Sequence, residues 1–239
     1  MYIKIILLIC CISFKNVQAQ KQFINDPDAE LRSITESFSA IKVSGSINVY
    51  ISQADEQAVA ISAAKDEYKD AIKTVVKNGE LNIYFDYGQG SRRSYKNKKL
   101  NVYLACKNIH MLQASASSNI YVAGHIVSPH FILSLSGSSK FKGGIKADKL
   151  VINLSGASDA AIQGSVSEGN IEVSGASDVL AFDLMVEKCT INTSGASDVQ
   201  ITVNKELNVN TSGASHVSYK GNGVIKQIQS SGSSSVIKK

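Results

Sequence analysis

The chain has 239 residues, of which 44% are apolar, and its formal net charge at pH 7 is +5. This positive charge is too small to indicate nucleic acid or an anionic membrane surface as the partner. The length and apolar content are sufficient to bury a core, in one long domain or two short ones.

Residues 1–19 have the features of a secretory signal peptide. Lys4 precedes an apolar run at positions 5–12, and the segment Val17–Ala19 forms a small-residue cleavage site. The apolar run is too short for a permanent membrane anchor, which needs about 20 residues. We therefore predict export through the secretory route, with no transmembrane segment in the mature chain. The final location is then the periplasm, the outer surface or the extracellular space.

The four cysteines fall into two pairs. Cys10 and Cys11 lie within the predicted signal. Lipoprotein signals resemble each other in having a small residue directly before the cysteine, and Ile9 is not small, so lipid attachment at Cys10 or Cys11 is disfavoured. Cys106 and Cys189 remain after cleavage, and two cysteines do not make a disulfide framework. They can form one bridge in an oxidising compartment or pack as small apolar core residues, and we favour the core.

The second half of the chain repeats one short motif, Ser-Gly-x-Ser, at intervals of 18–20 residues. Self-similarity at this period is typical of a repeat architecture. Degenerate copies occur upstream, at Ser44 and Ser115. The six clear copies begin at Ser136, Ser155, Ser174, Ser194, Ser212 and Ser231.

Residues on both sides of each motif alternate between apolar and polar, as in a half-buried strand. In one repeat, Ile152 and Leu154 precede the motif, and Ala160 and Ile162 follow it. About 19 residues form one coil of a parallel β-solenoid, whose strands stack about 4.8 Å apart. Glycine supplies the backbone freedom that a tight bend requires. We therefore predict an all-β fold, with a β-helix-like parallel solenoid over residues 111–239.

The first half of the chain is less regular. Residues 20–33 predict a flexible leader, and residues 34–110 predict a β-rich part with several alternating strands. Between these strands, residues 65–77 have a mixed pattern that fits a short helix or a loop. Whether this half closes as its own sheet or continues the solenoid stays open at this point.

Three segments of the first half resemble the head-GIN-domain family, and the Ser-Gly-Ala-Ser repeats match the rest of that domain. The segments are Phe38–Gln53, Val59–Ile61 and Asn78–Ile83, and the resemblance covers residues 32–237. It implies a parallel β-solenoid-like fold in an exported bacterial protein of the envelope or cell surface, of the kind labelled auto-transporter adhesins. The resemblance brings no catalytic residues.

The residue after each motif forms a predicted column, here called the Asp column. It contains Asp159, Asp178 and Asp198, with Lys140 before them and His216 after them. Carboxylates stacked about 4.8 Å apart repel by roughly 1 kcal/mol per pair in water. Solvent exposure, the flanking Lys140 and His216, or a bound cation such as calcium would make the column tolerable. Turn capping is the favoured interpretation, a ligand-facing strip is the alternative, and we predict no metal or cofactor.

A basic segment at residues 92–99 is the second candidate for ligand binding. It contains Arg92, Arg93, Tyr95 and Lys96. The favoured interpretation is a solvated loop between two strands. The alternative is a patch for an anionic glycan or a phosphate, with Tyr95 stacked on a sugar.

The sequence predicts a protein without catalytic activity. Its acids and its Ser-Gly pairs recur at equivalent positions, whereas catalysis needs a localised cluster of unlike groups. We therefore predict adhesin-like recognition of extracellular glycan or protein, with no nucleic acid partner. The alternative is a periplasmic structural scaffold that self-assembles or binds other envelope components, since the open ends of a solenoid expose strand edges.

Overall fold

The computed structural model describes residues 26–88 and 97–239. The protein is 65% strand and 3% helix, and it forms a β-solenoid of about 7 turns with a spacing of ~19 residues. The predicted fold class is confirmed. The predicted signal at 1–19 lies outside the described residues, as do Arg92, Arg93, Tyr95 and Lys96.

The described part of the chain contains the following strands and one short helix, in chain order. They are β1 (Glu30–Arg32), β2 (Ala40–Ser44), β3 (Asn48–Gln53), β4 (Ala58–Ser62), α1 (Asp66–Ala71), β5 (Ile72–Lys77), β6 (Glu80–Phe85), β7 (Asn101–Cys106), β8 (Met111–Ala114), β9 (Asn119–Leu135), β10 (Lys140–Leu154), β11 (Asp159–Val173), β12 (Asp178–Thr193), β13 (Asp198–Thr211), β14 (His216–Lys220), β15 (Val224–Ser230) and β16 (Ser235–Lys238).

The strands β9 to β13 each run from one Ser-Gly bend to the next and pair in parallel with the strand one coil away. The register aligns equivalent positions of successive repeats, so that Ile152 lies opposite Ile171 and Ile171 opposite Ile191. These side chains are buried, as the alternation predicts. Each buried Ile, Val or Leu contributes about 1.5–3 kcal/mol relative to exposure. The core is therefore one continuous apolar column along the solenoid axis.

The first half of the chain continues the same solenoid. Strand β2 pairs in parallel with both β6 and β8, and β3 pairs in parallel with both β7 and β9. The early bend at Ser44 thus stacks on the degenerate bend at Ser115, where the Ser46 N–H donates to the Ala116 carbonyl at 3.0 Å. The coil of β2 and β3 lies between two coils that follow it in the chain, so spatial order differs from chain order.

Antiparallel strands and the helix cover the end of the solenoid nearest β7. Strand β4 pairs antiparallel with β7, β1 with β4, and β5 with β6. Within the segment predicted as a flexible leader, residues 20–33, Glu30–Arg32 form β1 and belong to the sheet. The Asp26 carboxylate also accepts hydrogen bonds from the Ser62 and Tyr103 hydroxyls. The segment at 65–77 forms α1 followed by β5, a strand that its mixed pattern did not predict.

The glycine of each bend lies against the backbone of the preceding bend. Gly175 has φ +79°, and a Cβ on it would lie 2.5 Å from the Gly156 carbonyl oxygen. That oxygen accepts a hydrogen bond from the Ala176 N–H at 2.7 Å. The approach that makes this bond so short leaves no space for a side chain, so the position requires glycine.

The second serine of the motif is buried and closes the bend. The Ser158 hydroxyl donates to the Ser155 carbonyl at 2.9 Å, and the Ser158 N–H donates to the Ser177 hydroxyl of the next coil at 3.2 Å. Both side chains are fully buried. Because a buried hydroxyl without a partner is costly, this pattern gives the repeated serine a structural role.

Cys106 and Cys189 are free thiols in the core. Burial raises the pKa of each thiol to about 12. Since the thiolate is the nucleophilic form, neither side chain is poised for covalent chemistry near neutral pH. Both act as small apolar packing residues.

We expect Gly175→Ala to lower the free energy of unfolding by at least about 3 kcal/mol, because it adds a clash with backbone to left-handed strain. The matched control is Gly79→Ala, which has a similar φ of +75° but nothing within 4 Å of the added Cβ. The control should lose only about 1–2 kcal/mol from the left-handed backbone. Urea denaturation measures both, and equal losses would contradict the stacking argument.

Candidate functional site

The Asp column lies on the outer face of the solenoid directly after the bends. The structure pairs both ends of it with the flanking Lys140 and His216. Lys140 Nζ lies 2.7 Å from Asp159 Oδ2, and His216 Nδ1 lies 3.2 Å from Asp198 Oδ1. Only Asp178, between them, has no ion pair among the residues that the structure describes. The column is thus largely satisfied within the protein itself.

Asp178 carries the electrostatic cost of this arrangement. Partial burial raises the pKa of its carboxyl group, and the neighbouring carboxylates of Asp198 and Asp159 raise it further. A hydrogen bond from the Asp198 backbone acts in the opposite direction and lowers the pKa. Over residues 26–88 and 97–239, no group of three or more His, Cys, Asp or Glu could hold a metal ion.

A long open groove lies on the other side of the bends, on the outer face just before them. Its volume is about 730 Å³. Seven stacked strands contribute to it, so its length is roughly 30 Å at a strand spacing of about 4.8 Å. We call it the polar groove, and it is lined by the first serines of the motifs and by Lys42, Gln113, Ser134, Asn153, Glu172, Asn192 and Asn210.

Register places these polar side chains in one row. Asn153 lies opposite Glu172, Glu172 opposite Asn192, and Asn192 opposite Asn210. Each belongs to a strand whose inward residues anchor the core, so the backbone that carries it is held on both sides by hydrogen-bonded strands. The groove is therefore preformed, as ligand sites usually are.

The three asparagine amides of the polar groove are unbonded among the described residues, whereas the Gln113 amide donates to Met111 Sδ at 3.7 Å. Asn153, Asn192 and Asn210 make no side-chain hydrogen bond to any described residue. In the column after the bends, by contrast, the Asn119 amide donates to Asn48 Oδ1 at 2.9 Å, and the Asn48 amide donates to Asn101 Oδ1 at 3.2 Å. Each free amide offers two donors and one acceptor oxygen. The polar groove can thus hydrogen-bond a ligand that is rich in hydroxyl groups.

Our sequence interpretation missed the polar groove, although a signal for it exists. The residue two positions before each motif is polar in every clear copy. In the copies that begin at Ser136, Ser155 and Ser174 it lies between two buried apolar residues. Reading that position down the repeats would have placed these residues in one column. The binding roles predicted for Arg92, Arg93, Tyr95 and Lys96 remain predictions, because these residues lie outside the described part of the chain.

We expect Asp178→Asn to stabilise the fold at neutral pH. The folded-state pKa of Asp178 lies above its ordinary value of 3.8, so the folded state binds the proton more tightly than the unfolded state. The contribution of Asp178 to stability is therefore present below pH 3.8 and is lost as the pH rises through the folded-state pKa. Urea denaturation across this range should show a gain for the variant that appears only above that pH.

The control for this prediction is Asp159→Asn. It removes the partner of Lys140 in a 2.7 Å ion pair and should give no gain at neutral pH. A stability difference for Asp178→Asn that is the same on both sides of the transition would contradict the assignment to its ionisation.

Comparison with known proteins begins with solved structures of the same fold. A putative adhesin from Bacteroides fragilis superposes with a TM-score of 0.80 at 15% identity, covering 90% of this chain and 98% of that one. A putative adhesin from Parabacteroides distasonis gives 0.72 at 20% identity, covering 88% and 96%. A putative lipid binding protein from the same species gives 0.68 at 21%, covering 90% and 98%. At these identities the likeness shows the fold.

Comparison with curated proteins gives no significant match. No helix within the described residues is long and apolar enough to cross a membrane. The family model for the putative auto-transporter adhesin, head GIN domain, matches residues 37–223. This span includes every bend except the last one, at Ser231, together with the Asp column and the whole polar groove. The chain therefore belongs to the head GIN domain family of putative auto-transporter adhesins.

Proposed function

We propose that this protein is an exported, non-catalytic, adhesin-like protein of the cell surface that recognises glycan through the polar groove. The family and the structural neighbours named as adhesins are consistent with such a role. The observation that carries the proposal is the row of polar side chains along seven stacked strands, in which the amides of Asn153, Asn192 and Asn210 have no hydrogen-bond partner among the described residues.

The chemistry of the polar groove favours a glycan over a protein ligand. Protein interfaces have a desolvated core rich in aromatic and apolar side chains. Of the residues that line this groove, none is an exposed large hydrophobic side chain. Its charges are mixed, since Lys42 lies at one end and Glu172 near the middle. An extended, mostly uncharged chain of hydroxyl groups fits this lining.

The repetition of equivalent residues supports recognition without catalysis. Each coil contributes one polar side chain at the same position, at a spacing set by the strands. A catalytic site needs unlike groups with different environments, whereas an extended polymer with its own repeat is bound well by a row of similar groups.

We expect Asn192→Ala and Asn210→Ala each to weaken the binding of a glycan by roughly three- to tenfold, the value of one or two lost hydrogen bonds. The measurement is binding of the purified protein to a glycan array, followed by titration of the glycans that bind. Both side chains point outward, so the fold should be unaffected.

The matched control is Asn222→Ala, an exposed asparagine outside the polar groove. It should bind like the unmodified protein. If no glycan on the array binds, or if the control loses as much affinity as the groove variants, the proposed function is wrong.

A scaffold that assembles with itself is the second candidate, and the last coil favours it. Strand β16 is the final strand of the sheet order, and Val224, Ile228 and Ile237 are exposed large hydrophobic residues there. Such an edge is able to pair with another strand. However, every charged residue after Glu206 is a lysine, so two copies of this edge repel each other.

We expect the purified protein to remain a monomer at low ionic strength, because these lysines oppose the pairing of two such edges. Light scattering over a wide range of protein concentrations measures its mass. A mass that rises with concentration, and that Ile228→Lys returns to the monomer value, would favour the scaffold instead.

A further inference from the structure

Three tyrosines form a stacked column on the outer face after the bends. Tyr103, Tyr50 and Tyr121 lie opposite one another on β7, β3 and β9. Tyr50 stacks on Tyr103 with ring centroids 5.2 Å apart and on Tyr121 at the same 5.2 Å, with interplanar angles of 17° and 20°. The two outer rings cover both faces of Tyr50. Within the stack, only Tyr103 and Tyr121 therefore have one ring face that is not covered by another tyrosine.

The stack ends at Tyr121. The residues that follow it in the same column are Lys142, Ala161 and Leu180, none of which is aromatic. An open cleft of about 520 Å³ begins here, and Tyr50, Tyr121, Ala161 and Leu180 contribute to its lining. We call it the Tyr121 cleft. Its volume lies within the range of about 300–1,000 Å³ that is usual for small-molecule sites.

Backbone irregularities create the space for the cleft. The strand register shifts between Lys142 and Gly144, and again between Ala161 and Gly164 one coil on. Gly143 lines the cleft, and a Cβ there would lie 2.5 Å from the Cβ of Val122. Bulges of this kind bend a strand and redirect its side chains, and they are frequent next to binding sites.

Free polar groups surround the aromatic face. Lys142, Gln163 and Asp183 line the Tyr121 cleft, and none of them has an ion pair or side-chain hydrogen bond among the described residues. Leu180 forms an apolar wall and is 46% exposed. One cation and one anion offset each other, so the cleft favours a ligand without net charge. Aromatic and apolar surface with a few convergent polar groups is the usual composition of a small-molecule site.

We propose that the Tyr121 cleft binds one pyranose ring of an uncharged sugar. The C–H-rich face of the ring packs on the free face of Tyr121 and against Leu180, and the hydroxyl groups at its edge bond to Lys142, Gln163 and Asp183. The class of ligand rests on the proposed function. The site is a second one, because the bends separate this face from the polar groove.

Saturation-transfer NMR with the methyl pyranosides of glucose, galactose and N-acetylglucosamine tests the proposal directly. We expect at least one of them to bind, and Tyr121→Ala to weaken its binding about tenfold, the value of one lost aromatic contact. The matched control is Tyr103→Ala. It removes a stacking contact with Tyr50 from the other end of the column, together with the hydrogen bond to Asp26, away from the cleft. It should keep the affinity of the unmodified protein.

A second variant, Ala161→Leu, keeps all three tyrosines and fills the cleft from its wall. It should abolish pyranoside binding while urea denaturation shows an unchanged fold. The inference is overturned if none of the three pyranosides binds, or if binding survives in both Tyr121→Ala and Ala161→Leu.

The glycan array separates this inference from the proposed function. If Asn192→Ala weakens a glycan and Tyr121→Ala does not, recognition by the polar groove stands and the inference fails. If only Tyr121→Ala weakens it, the Tyr121 cleft is a sugar site and the polar groove is not.

Discussion

The contact between successive Ser-Gly bends is the constraint on which the rest of the structure depends. Each bend glycine from Gly137 to Gly213 has a left-handed backbone, and its carbonyl accepts a hydrogen bond of 2.7–2.8 Å from the next coil. A Cβ on Gly175, Gly195 or Gly213 would lie 2.5 Å from the carbonyl oxygen of the preceding bend glycine. The motif recurs because every coil must bring its bend equally close to the preceding one. The buried serine hydroxyls then complete the hydrogen bonding of backbone groups that water cannot reach.

Stacked bends hold the flanking strands in register. This register places the side chains at equivalent positions of successive coils in columns. Side chains that alternate inward form the continuous core. Those that alternate outward form rows whose chemistry depends on what the repeat places there. The Asn48 row bonds to itself, and the Asp column pairs with Lys140 and His216 at its ends. The amides of Asn153, Asn192 and Asn210 in the polar groove remain without partners among the described residues.

This difference between satisfied and unsatisfied rows separates structural columns from candidate binding surfaces. A row whose polar atoms already bond to each other gains little from a ligand, because each new hydrogen bond replaces an old one. When a ligand binds to a row of free amides, the amides lose only their hydrogen bonds to water. The same holds for an aromatic ring with an open face beside free polar groups. The polar groove and the Tyr121 cleft meet this condition, whereas most of the Asp column does not.

The sequence by itself determined the fold class, the length of a coil, the inward residues and the place of each bend, because all of these are periodic and local. It also indicated that Lys140 and His216 contact the ends of the Asp column, because equivalent positions in a repeat must stack. The tertiary structure alone decided that the coil of β2 and β3 lies between two later coils, and that β1 and β5 complete the covered end. Strand order depends on pairing between residues distant in the chain, which no local pattern encodes. The Tyr121 cleft has the same origin, since Tyr103, Tyr50 and Tyr121 are far apart in sequence and meet only through that order.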